Sequence, residues 1–156
     1  MPSIVLKKEL IYLPIIGLFF LKGRAIPIIR QNTIEALKKI VKMAKKNLNK
    51  GSSILIFPQG TRVPLHASTK DYPYQSGIYF LYSQCNIPVI PVAHNAGLFW
   101  PKNSFLKYPN KHNTKTVTIE IMDEIPIGLD KKTFMDKLEK SIEDKTRKLI
   151  IEESHG

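Results

Sequence analysis

The chain has 156 residues, of which 43% are hydrophobic, and this length and apolar content exclude a disordered polymer and allow one compact domain with a core. Its formal net charge of +11 indicates an anionic partner, either a membrane surface or a nucleic acid. The single cysteine, Cys85, excludes an internal disulfide and is interpreted as a core residue of a protein in a reducing compartment.

The most apolar run of the sequence, residues 11–21, lies near its beginning. The run is too short to span a membrane, which takes about 20 residues, and it lacks the small-residue cleavage site of a signal peptide. Pro14 and Gly17 interrupt it, so it predicts short helices and turns, either buried or dipping into one leaflet of a bilayer. Residues 25–29 then predict a short strand that ends on Arg30.

An amphipathic helix is predicted to start at Asn32 or Thr33, either of which can cap it, and to run to about Leu48 before Gly51. Its apolar residues recur in steps of three and four and form one stripe: Ile34, Leu37, Val41, Ala44 and Leu48. Lysines occupy the other faces: Lys38, Lys39, Lys42, Lys45, Lys46 and Lys50. This lysine face is either solvated or in contact with anionic head groups, at about 1 kcal/mol per lysine.

The sequence is organised around residues 54–62, Ile-Leu-Ile-Phe-Pro-Gln-Gly-Thr-Arg. The four apolar residues predict a buried strand, which the Pro-Gln-Gly sequence ends sharply. Gln59, Thr61 and Arg62 are then expected at the carboxyl end of a strand, where open α/β sheets bind ligands. A guanidinium beside a hydroxyl and backbone N–H groups suits a phosphate or a carboxylate, although a plain surface turn is the alternative.

The remaining segments alternate between loops, helices and strands. Periodicity and turn residues predict a polar loop over 63–73, a helix over 74–85, an apolar strand over 87–93, an aromatic-rich loop over 94–109, a half-buried alternating strand over 116–121 and an amphipathic helix over 131–152. Strands that alternate with helices predict an α/β layered fold.

The order of these blocks resembles the glycerolipid acyltransferases, most closely the bacterial 1-acyl-glycerol-3-phosphate (lysophosphatidic acid) acyltransferases. The matching blocks are Lys-Lys-Glu-Leu at residues 7–10, Ile-Pro-Ile-Ile-Arg at 26–30, Phe-Pro-Gln-Gly-Thr-Arg at 57–62 and Val-Ile-Pro-Val-Ala at 89–93. The resemblance implies an α/β fold with a mixed sheet flanked by helices, like that of the plant glycerol-3-phosphate acyltransferase. It predicts a single, partial acyltransferase-like domain over residues 1–156 that lacks its N-terminal part.

The resemblance also implies an enzyme of phospholipid biosynthesis. Such an enzyme moves a fatty acyl group from acyl carrier protein or coenzyme A to the sn-2 hydroxyl of lysophosphatidic acid, which gives phosphatidic acid. The acyl thioester is a substrate, so no cofactor is expected. The implied location is the cytoplasmic face of the bacterial inner membrane, peripheral or monotopic, with an anionic membrane surface and acyl carrier protein as candidate partners.

The matching motifs also imply a phosphate site. Gly60, Thr61 and Arg62 fall on the family's Glu-Gly-Thr-Arg block, whose arginine binds the substrate phosphate, and Arg30 and Lys7 fall on basic residues of earlier blocks. A phosphate in a partly dry site needs several cationic donors, each charge-assisted bond contributing about 1.5–3 kcal/mol. We therefore expect these side chains to converge on one glycerol-linked phosphate.

Two departures from the family pattern bear on activity. Gln59 stands where the family has glutamate, and it keeps a carbonyl acceptor but cannot neutralise an adjacent arginine. The family's His-x-x-x-x-Asp block, whose histidine is the general base and whose aspartate orients it, is expected upstream of Met1. The same spacing occurs at His66 and Asp71, in the loop after Arg62, and is interpreted as a coincidence rather than a substitute base.

The leading hypothesis is therefore an acyltransferase polypeptide that is inactive as this isolated chain. The alternative is a non-catalytic remnant that binds anionic lipid through the same basic residues. Nucleic-acid binding is a third class of function that the charge permits. The sequence has no recognition-helix or aromatic-basic motif, so nucleic-acid binding is not predicted. No histidines or acids have metal-ligand spacing, so no metal is predicted either.

Overall fold

The computed structural model describes residues 2–7, 22–28, 34–65, 67–100, 102 and 116–155. The chain divides into two compact units, the first comprising Met1–Gly60 and Gln75–Asn86 and the second Thr61–Tyr74 and Ile87–Gly156. The expectation of one acyltransferase-like domain over residues 1–156 stays a prediction.

The first unit is built on a three-stranded parallel sheet in the order β2-β1-β3. Its strands are β1 (Ser3–Lys7), β2 (Ile26–Ile28) and β3 (Ile54–Leu55). In the register of the sheet, Val5 pairs with Ile26 on one side of β1, and Ser3 pairs with Ile54 on the other. Because all three strands run in the same direction, their carboxyl ends lie at one edge of the sheet.

Among the described residues of this unit, α1 (Ile34–Leu48) packs on the sheet and α2 (Gly77–Cys85) packs on α1. The predicted apolar stripe of α1 is confirmed at its centre, where Val41 and Ala44 are buried in the core. Ile34, at the start of the helix, is 67% exposed and takes no part in it. The core cluster of this unit comprises Val5, Ile26, Val41, Ala44 and Leu81.

The end of α1 is tied to the turn that precedes β2. Asn47 is buried and its Nδ2 donates to the carbonyl of Arg24 at 3.0 Å, while Arg24 donates to Ser52 Oγ at 3.2 Å. Arg24 has a φ of 55°, which strains a residue with a side chain, and these two bonds hold it there. Gly51 ends the helix as predicted, with a φ of 73° and its N–H donating to the carbonyl of Leu48 at 2.8 Å.

The second unit packs a long helix, α3 (Lys131–His155), against an antiparallel pair of strands, β4 (Val92–His94) and β5 (Ile119–Ile121). The amphipathic helix predicted over 131–152 is confirmed, and it buries Phe134, Leu138 and Leu149. Asp130 begins it, because its Oδ1 accepts a hydrogen bond from the backbone N–H of Thr133 at 3.1 Å. The strands of the first unit are thus parallel and those of the second are antiparallel. Both units combine strands with helices, as the predicted α/β class requires.

The continuous strand predicted over 87–93 is wrong in its extent. Only Val92–His94 is a strand, and Val89 forms an isolated antiparallel bridge with Ile125. Pro91 lies between the two pairings, and because it has no N–H the ladder cannot run through it. Its carbonyl instead accepts from the N–H of Met122 at 3.0 Å.

The alternation in β5 predicts that its apolar residues are buried, but in the structure these residues are exposed. Ile119 is 64% and Ile121 is 73% exposed. The covered face is the one that carries Glu120. Its partner across the strands, Ala93, is 1% exposed, and β4 packs on α3. Glu120 can stay on that side because Lys145 of α3 forms an ion pair with it at 2.6 Å. Alternation therefore defined the two faces of the strand correctly but not which face is covered.

The hydroxyl of Ser3 in the central strand offers a test of this packing. Ser3 is 0% exposed and its Oγ has no hydrogen-bond partner among the described residues. Because a buried hydroxyl without a partner carries a desolvation cost, we expect Ser3→Ala to raise the free energy of unfolding by about 1 kcal/mol. Urea denaturation followed by circular dichroism measures it. The exposed neighbour Ser53 is the control, since Ser53→Ala is expected to change stability by less than about 0.5 kcal/mol. A loss of stability in Ser3→Ala would contradict the prediction.

Candidate functional site

The candidate site begins on β3, but the buried strand predicted over residues 54–57 is wrong. β3 has only two residues, Ile54–Leu55, and Phe57 is 57% exposed. The cause is the place of β3 in the sheet: it is an edge strand that pairs, within the described residues, with β1 alone. An edge strand has a neighbour on one side only, so its length and burial are smaller than four apolar residues suggest.

A tight turn follows β3, as the Pro-Gln-Gly sequence predicts. The N–H of Gly60 donates to the carbonyl of Phe57 at 3.0 Å, which closes a four-residue turn with Pro58 in second position. Gly60 has a φ of 64°, a left-handed conformation that glycine adopts without strain. The carbonyl of Pro58 accepts from the N–H of Gln75 at 2.9 Å, so the turn is fixed to the segment that enters α2.

The motif residues lie at the surface, where a ligand can reach them. Gln59 is half-buried, and Gly60, Thr61 and Arg62 are exposed. The turn to Gly60 belongs to the first compact unit, whereas Thr61 and Arg62 follow it in the chain and belong to the second. The hydrogen bonds of the turn therefore fix the backbone as far as Gly60.

The strands β1 and β2, which precede the earlier basic blocks in the chain, end at the same edge of the parallel sheet as β3. Lys7 is the last residue of β1, and its backbone position pairs with Ile28, the last residue of β2. Arg30, two positions further along the chain, and the side chain of Lys7 lie outside the described residues. The carboxyl ends of β1, β2 and β3 thus precede the three blocks predicted to bind phosphate.

Asp71, half of the His-x-x-x-x-Asp spacing, is engaged within its own loop. Its Oδ2 accepts from the N–H of Ser68 at 3.2 Å and from the hydroxyl of Ser68 at 2.8 Å. These bonds close the loop locally, which is an ordinary structural role for an aspartate. His66 lies outside the described residues, so the interpretation of this spacing as a coincidence stays a prediction.

Two cation–aromatic pairs join residues 61–73, called the motif loop from here on, to the aromatic-rich loop. Arg62 Cζ lies 6.0 Å from the centroid of the Trp100 ring, and Lys102 Nζ lies 4.2 Å from the centroid of the Tyr72 ring. Cation–π attraction extends to about 6 Å, so the Lys102–Tyr72 pair is well inside its range and the Arg62–Trp100 pair is at its limit. Sequence reasoning noted the aromatic residues of this loop but missed both pairs. The available signal was that Trp100 is the only tryptophan of the chain and lies in a loop after a strand.

Asn95 fixes the start of the aromatic-rich loop. It is 1% exposed, and its Nδ2 donates to the carbonyl of Thr116 at 3.2 Å while its Oδ1 accepts from the N–H of Thr118 at 2.8 Å. The side chain therefore pairs with the backbone as a further strand residue would. A 3-10 turn, Ala96–Leu98, follows directly, and the N–H of Trp100 donates to the carbonyl of Ala96 at 3.0 Å.

Tyr74 ties the other end of the motif loop to α3. It is buried, and its hydroxyl donates to Glu143 Oε1 at 2.9 Å. Burial raises the pKa of Tyr74 well above its usual value, and the negative charge of Glu143 raises it further. Tyr74 was predicted as the first residue of a helix, but α2 begins at Gly77, so Tyr74 serves the second unit instead.

The remaining candidate groups show no special chemistry. Cys85 packs against the core cluster of the first unit, and burial raises the pKa of its thiol, which fits its interpretation as a core residue. Across the described ranges, no three side chains of His, Cys, Asp or Glu are grouped as metal ligands. None of the helices in those ranges has the length and hydropathy that a membrane span requires.

Comparison with known proteins accounts for the ordered blocks. Residues 1–95 match the sequence model of the family described as Acyltransferase. The chain belongs to the acyltransferase family. This confirms the resemblance inferred from the ordered motifs.

Two curated relatives illustrate the membership. The chain is 41% identical over 107 residues to the 1-acyl-sn-glycerol-3-phosphate acyltransferase of Pseudomonas aeruginosa, a match that covers 69% of this chain and 40% of the relative. It is 26% identical over 123 residues to the human 1-acyl-sn-glycerol-3-phosphate acyltransferase beta, which covers 78% of this chain and 41% of the relative. The matched segments therefore cover about two fifths of the length of these acyltransferases.

A solved acyltransferase has a similar fold. The structure of the 1-acyl-sn-glycerophosphate (LPA) acyltransferase PlsC from Thermotoga maritima matches with a TM-score of 0.66 at 19% identity, over 95% of this chain and 56% of that one. This likeness confirms the predicted α/β acyltransferase fold.

The Tyr74–Glu143 pair predicts a pH-dependent stability. In the unfolded chain Tyr74 ionises near pH 10, whereas the folded protein holds its proton to higher pH. The contribution is therefore fully present below about pH 10 and is lost as the pH rises further. We expect Tyr74→Phe to lower the free energy of unfolding at neutral pH by about 1–2 kcal/mol, the value of a hydrogen bond to a half-buried carboxylate.

Urea denaturation of both proteins on either side of about pH 10 measures the effect. The stability of the wild type is expected to fall more steeply above that pH than the stability of Tyr74→Phe, because all other groups titrate alike in the two proteins. Glu143→Gln, which keeps a carbonyl acceptor for Tyr74, is expected to lose less stability than Tyr74→Phe. Parallel pH profiles for wild type and Tyr74→Phe would show that Tyr74 is not the titrating group.

Proposed function

We propose that this chain is the phosphate-binding part of a lysophosphatidic acid acyltransferase of phospholipid biosynthesis. The whole enzyme transfers a fatty acyl group from an acyl thioester to the sn-2 hydroxyl of lysophosphatidic acid and forms phosphatidic acid. Family membership supports the reaction class. The observation that carries the proposal is the parallel sheet whose three carboxyl ends lead into the three basic blocks.

In this proposal the basic residues bind the phosphate of lysophosphatidic acid. Lys7 and Arg30 come from the ends of β1 and β2, and Arg62 follows the turn after β3. The turn backbone at Gly60 and the hydroxyl of Thr61 add neutral donors beside the guanidinium. A phosphate monoester carries close to two negative charges at neutral pH, so several cationic donors offset the cost of removing it from water. Gln59 supplies a carbonyl acceptor in place of the family's carboxylate.

The acyl donor is proposed to be acyl coenzyme A or acylated acyl carrier protein, used as a substrate, with no cofactor and no metal. The general base belongs to the His-x-x-x-x-Asp block that the family carries upstream of its Lys-Glu-Leu block. Asp71 does not replace that block in this proposal, since it closes its own loop through Ser68. The isolated 156-residue chain is therefore expected to bind lipid phosphate without turning it over.

The lysine face of α1 is proposed to hold the chain against an anionic membrane, on the cytoplasmic side of the bacterial inner membrane. All of its lysines are exposed: Lys38, Lys39, Lys42, Lys45, Lys46 and Lys50. The opposite face of α1 packs on the core through Val41 and Ala44, so the lysines project away from the core. Each is expected to contribute about 1 kcal/mol to binding at an anionic surface.

A lipid-binding assay with Arg62 variants tests the phosphate site. Vesicles of phosphatidylcholine that contain 1-oleoyl lysophosphatidic acid are compared with vesicles that contain lysophosphatidylcholine. Arg62→Gln is expected to weaken binding to the first by about tenfold or more, because one charge-assisted interaction of about 1.5–3 kcal/mol is lost. Arg147→Gln on α3 is the matched control, since Arg147 is exposed and its loss removes the same charge. Equal weakening by the two variants would contradict a site at Arg62.

A turnover assay separates the enzyme from the lipid-binding alternative. With oleoyl coenzyme A and lysophosphatidic acid, the isolated chain is expected to form no phosphatidic acid above the blank. Turnover that His66→Ala abolishes would contradict this expectation and identify His66 as a substitute base. Turnover gained when the upstream His-x-x-x-x-Asp block is supplied in the same reading frame supports the acyltransferase over a non-catalytic lipid-binding remnant.

The lysine face predicts a separate, surface-charge effect. We expect the triple variant Lys38→Gln, Lys42→Gln and Lys45→Gln to bind phosphatidylglycerol vesicles about 100-fold more weakly, since about 1 kcal/mol is lost per lysine. Co-sedimentation at fixed ionic strength measures it. The control triple on α3 changes Lys137, Lys140 and Lys148, which are also exposed. An equal loss in both triples would mean that net charge rather than the α1 face determines binding.

A further inference from the structure

Two loops of the second unit lie against each other around Arg62 and Trp100. Arg62 Cζ is 6.0 Å from the centroid of the Trp100 ring. Nearby, a Cβ atom at Gly97 would come within 3.2 Å of Leu65 Cδ2, so glycine permits the close approach of the 3-10 turn to the motif loop. With the pair of Lys102 and Tyr72, three contacts join the two loops.

The position of Trp100 is set by its backbone rather than by a core. The N–H of Trp100 donates to the carbonyl of Ala96. Asn95, the residue before Ala96, is held in turn by hydrogen bonds between both polar atoms of its side-chain amide and the backbone of Thr116 and Thr118. The side chain of Trp100 is nevertheless 55% exposed. A large aromatic ring that is more than half exposed beside an arginine does little for the core of the unit.

A guanidinium can stack and bind an anion at the same time. Its planar face lies against an aromatic ring, while its edge carries the N–H donors that a phosphate accepts. The family's glutamate is replaced here by Gln59, which cannot hold Arg62 by charge. An indole can hold a guanidinium without cancelling its positive charge.

We propose that Trp100 is a positioning residue for Arg62 and orients its guanidinium toward the phosphate of the lipid. The proposal rests on the phosphate site described under the proposed function and adds the side chain that holds its arginine. It also makes the indole a reporter of that site, because Trp100 is the only tryptophan of the chain.

The contact is tested first without a ligand, by the tryptophan emission of the full chain. Arg62→Gln is expected to change the intensity or wavelength of the Trp100 emission, and Arg147→Gln is expected to leave it as in the wild type. Unchanged emission in Arg62→Gln would overturn the proposal. Circular dichroism melting of each variant checks that the fold is kept.

The role in binding is tested with phosphatidylcholine vesicles that contain lysophosphatidic acid. Trp100→Ala is expected to weaken binding by about two- to fivefold, the range of an exposed cation–π pair, and Trp100→Phe to restore most of it. In the Arg62→Gln background, Trp100→Ala is expected to have no further effect. Soluble glycerol 3-phosphate is expected to perturb the wild-type emission but not that of Arg62→Gln, which separates phosphate recognition from acyl-chain contact.

The outcomes distinguish the two proposals. If Arg62→Gln binds these vesicles as tightly as the wild type, the proposed phosphate site is wrong, and the proposed role of Trp100 is then wrong as well. If Arg62→Gln loses binding while Trp100→Ala binds like the wild type, the site stands and only the positioning role is overturned. An additive loss in the double variant would also overturn it, since the indole would then act independently of the arginine.

Discussion

The parallel pairing of β1 with a strand on each side is the constraint on which the first unit depends. Parallel strands cannot be joined by a hairpin, so the chain must cross over between them, and every strand then points the same way. The result is one edge at which β1, β2 and β3 all end. Blocks that are widely separated in sequence, after Lys7, after Ile28 and after Leu55, begin at that edge for a topological reason and not through their own interactions.

Hydrogen bonds outside the regular elements fix loops in each unit. In the first unit the carbonyl of Pro58 accepts from the N–H of Gln75, and in the second unit Tyr74 and Asn95 hold the loops that contain Arg62 and Trp100. Each of these bonds joins residues that are distant in sequence. A loop that must present charged groups to a ligand cannot be held by an apolar core, so polar anchors at its ends perform that task.

The sequence predicts those features of the structure that depend on residues close together in the chain, and it fails for those that depend on distant residues. The stripe of α1, with Val41 and Ala44 inside, and the turn at Gly60 follow from periodicity and backbone chemistry, and both are present. The exposed side of β5 at Ile119 and Ile121 does not follow, because alternation separates two faces without naming the covered one. The pairing of Arg62 with Trp100 is harder still to predict, because no sequence pattern around either residue indicates a contact with the other.

The motif itself illustrates the same limit in chemical terms. The Gly-Thr-Arg sequence and its resemblance to the acyltransferases point to an arginine that meets an anion, and Gln59 differs there from the glutamate of the family. The contact of Arg62 with Trp100 is a restraint of another kind. A carboxylate restrains a guanidinium by neutralising it, whereas an indole restrains it through its ring face and leaves the charge in place. A neutral restraint on the arginine adds no negative charge to a chain whose net charge is +11, and a chain of that charge attracts anions.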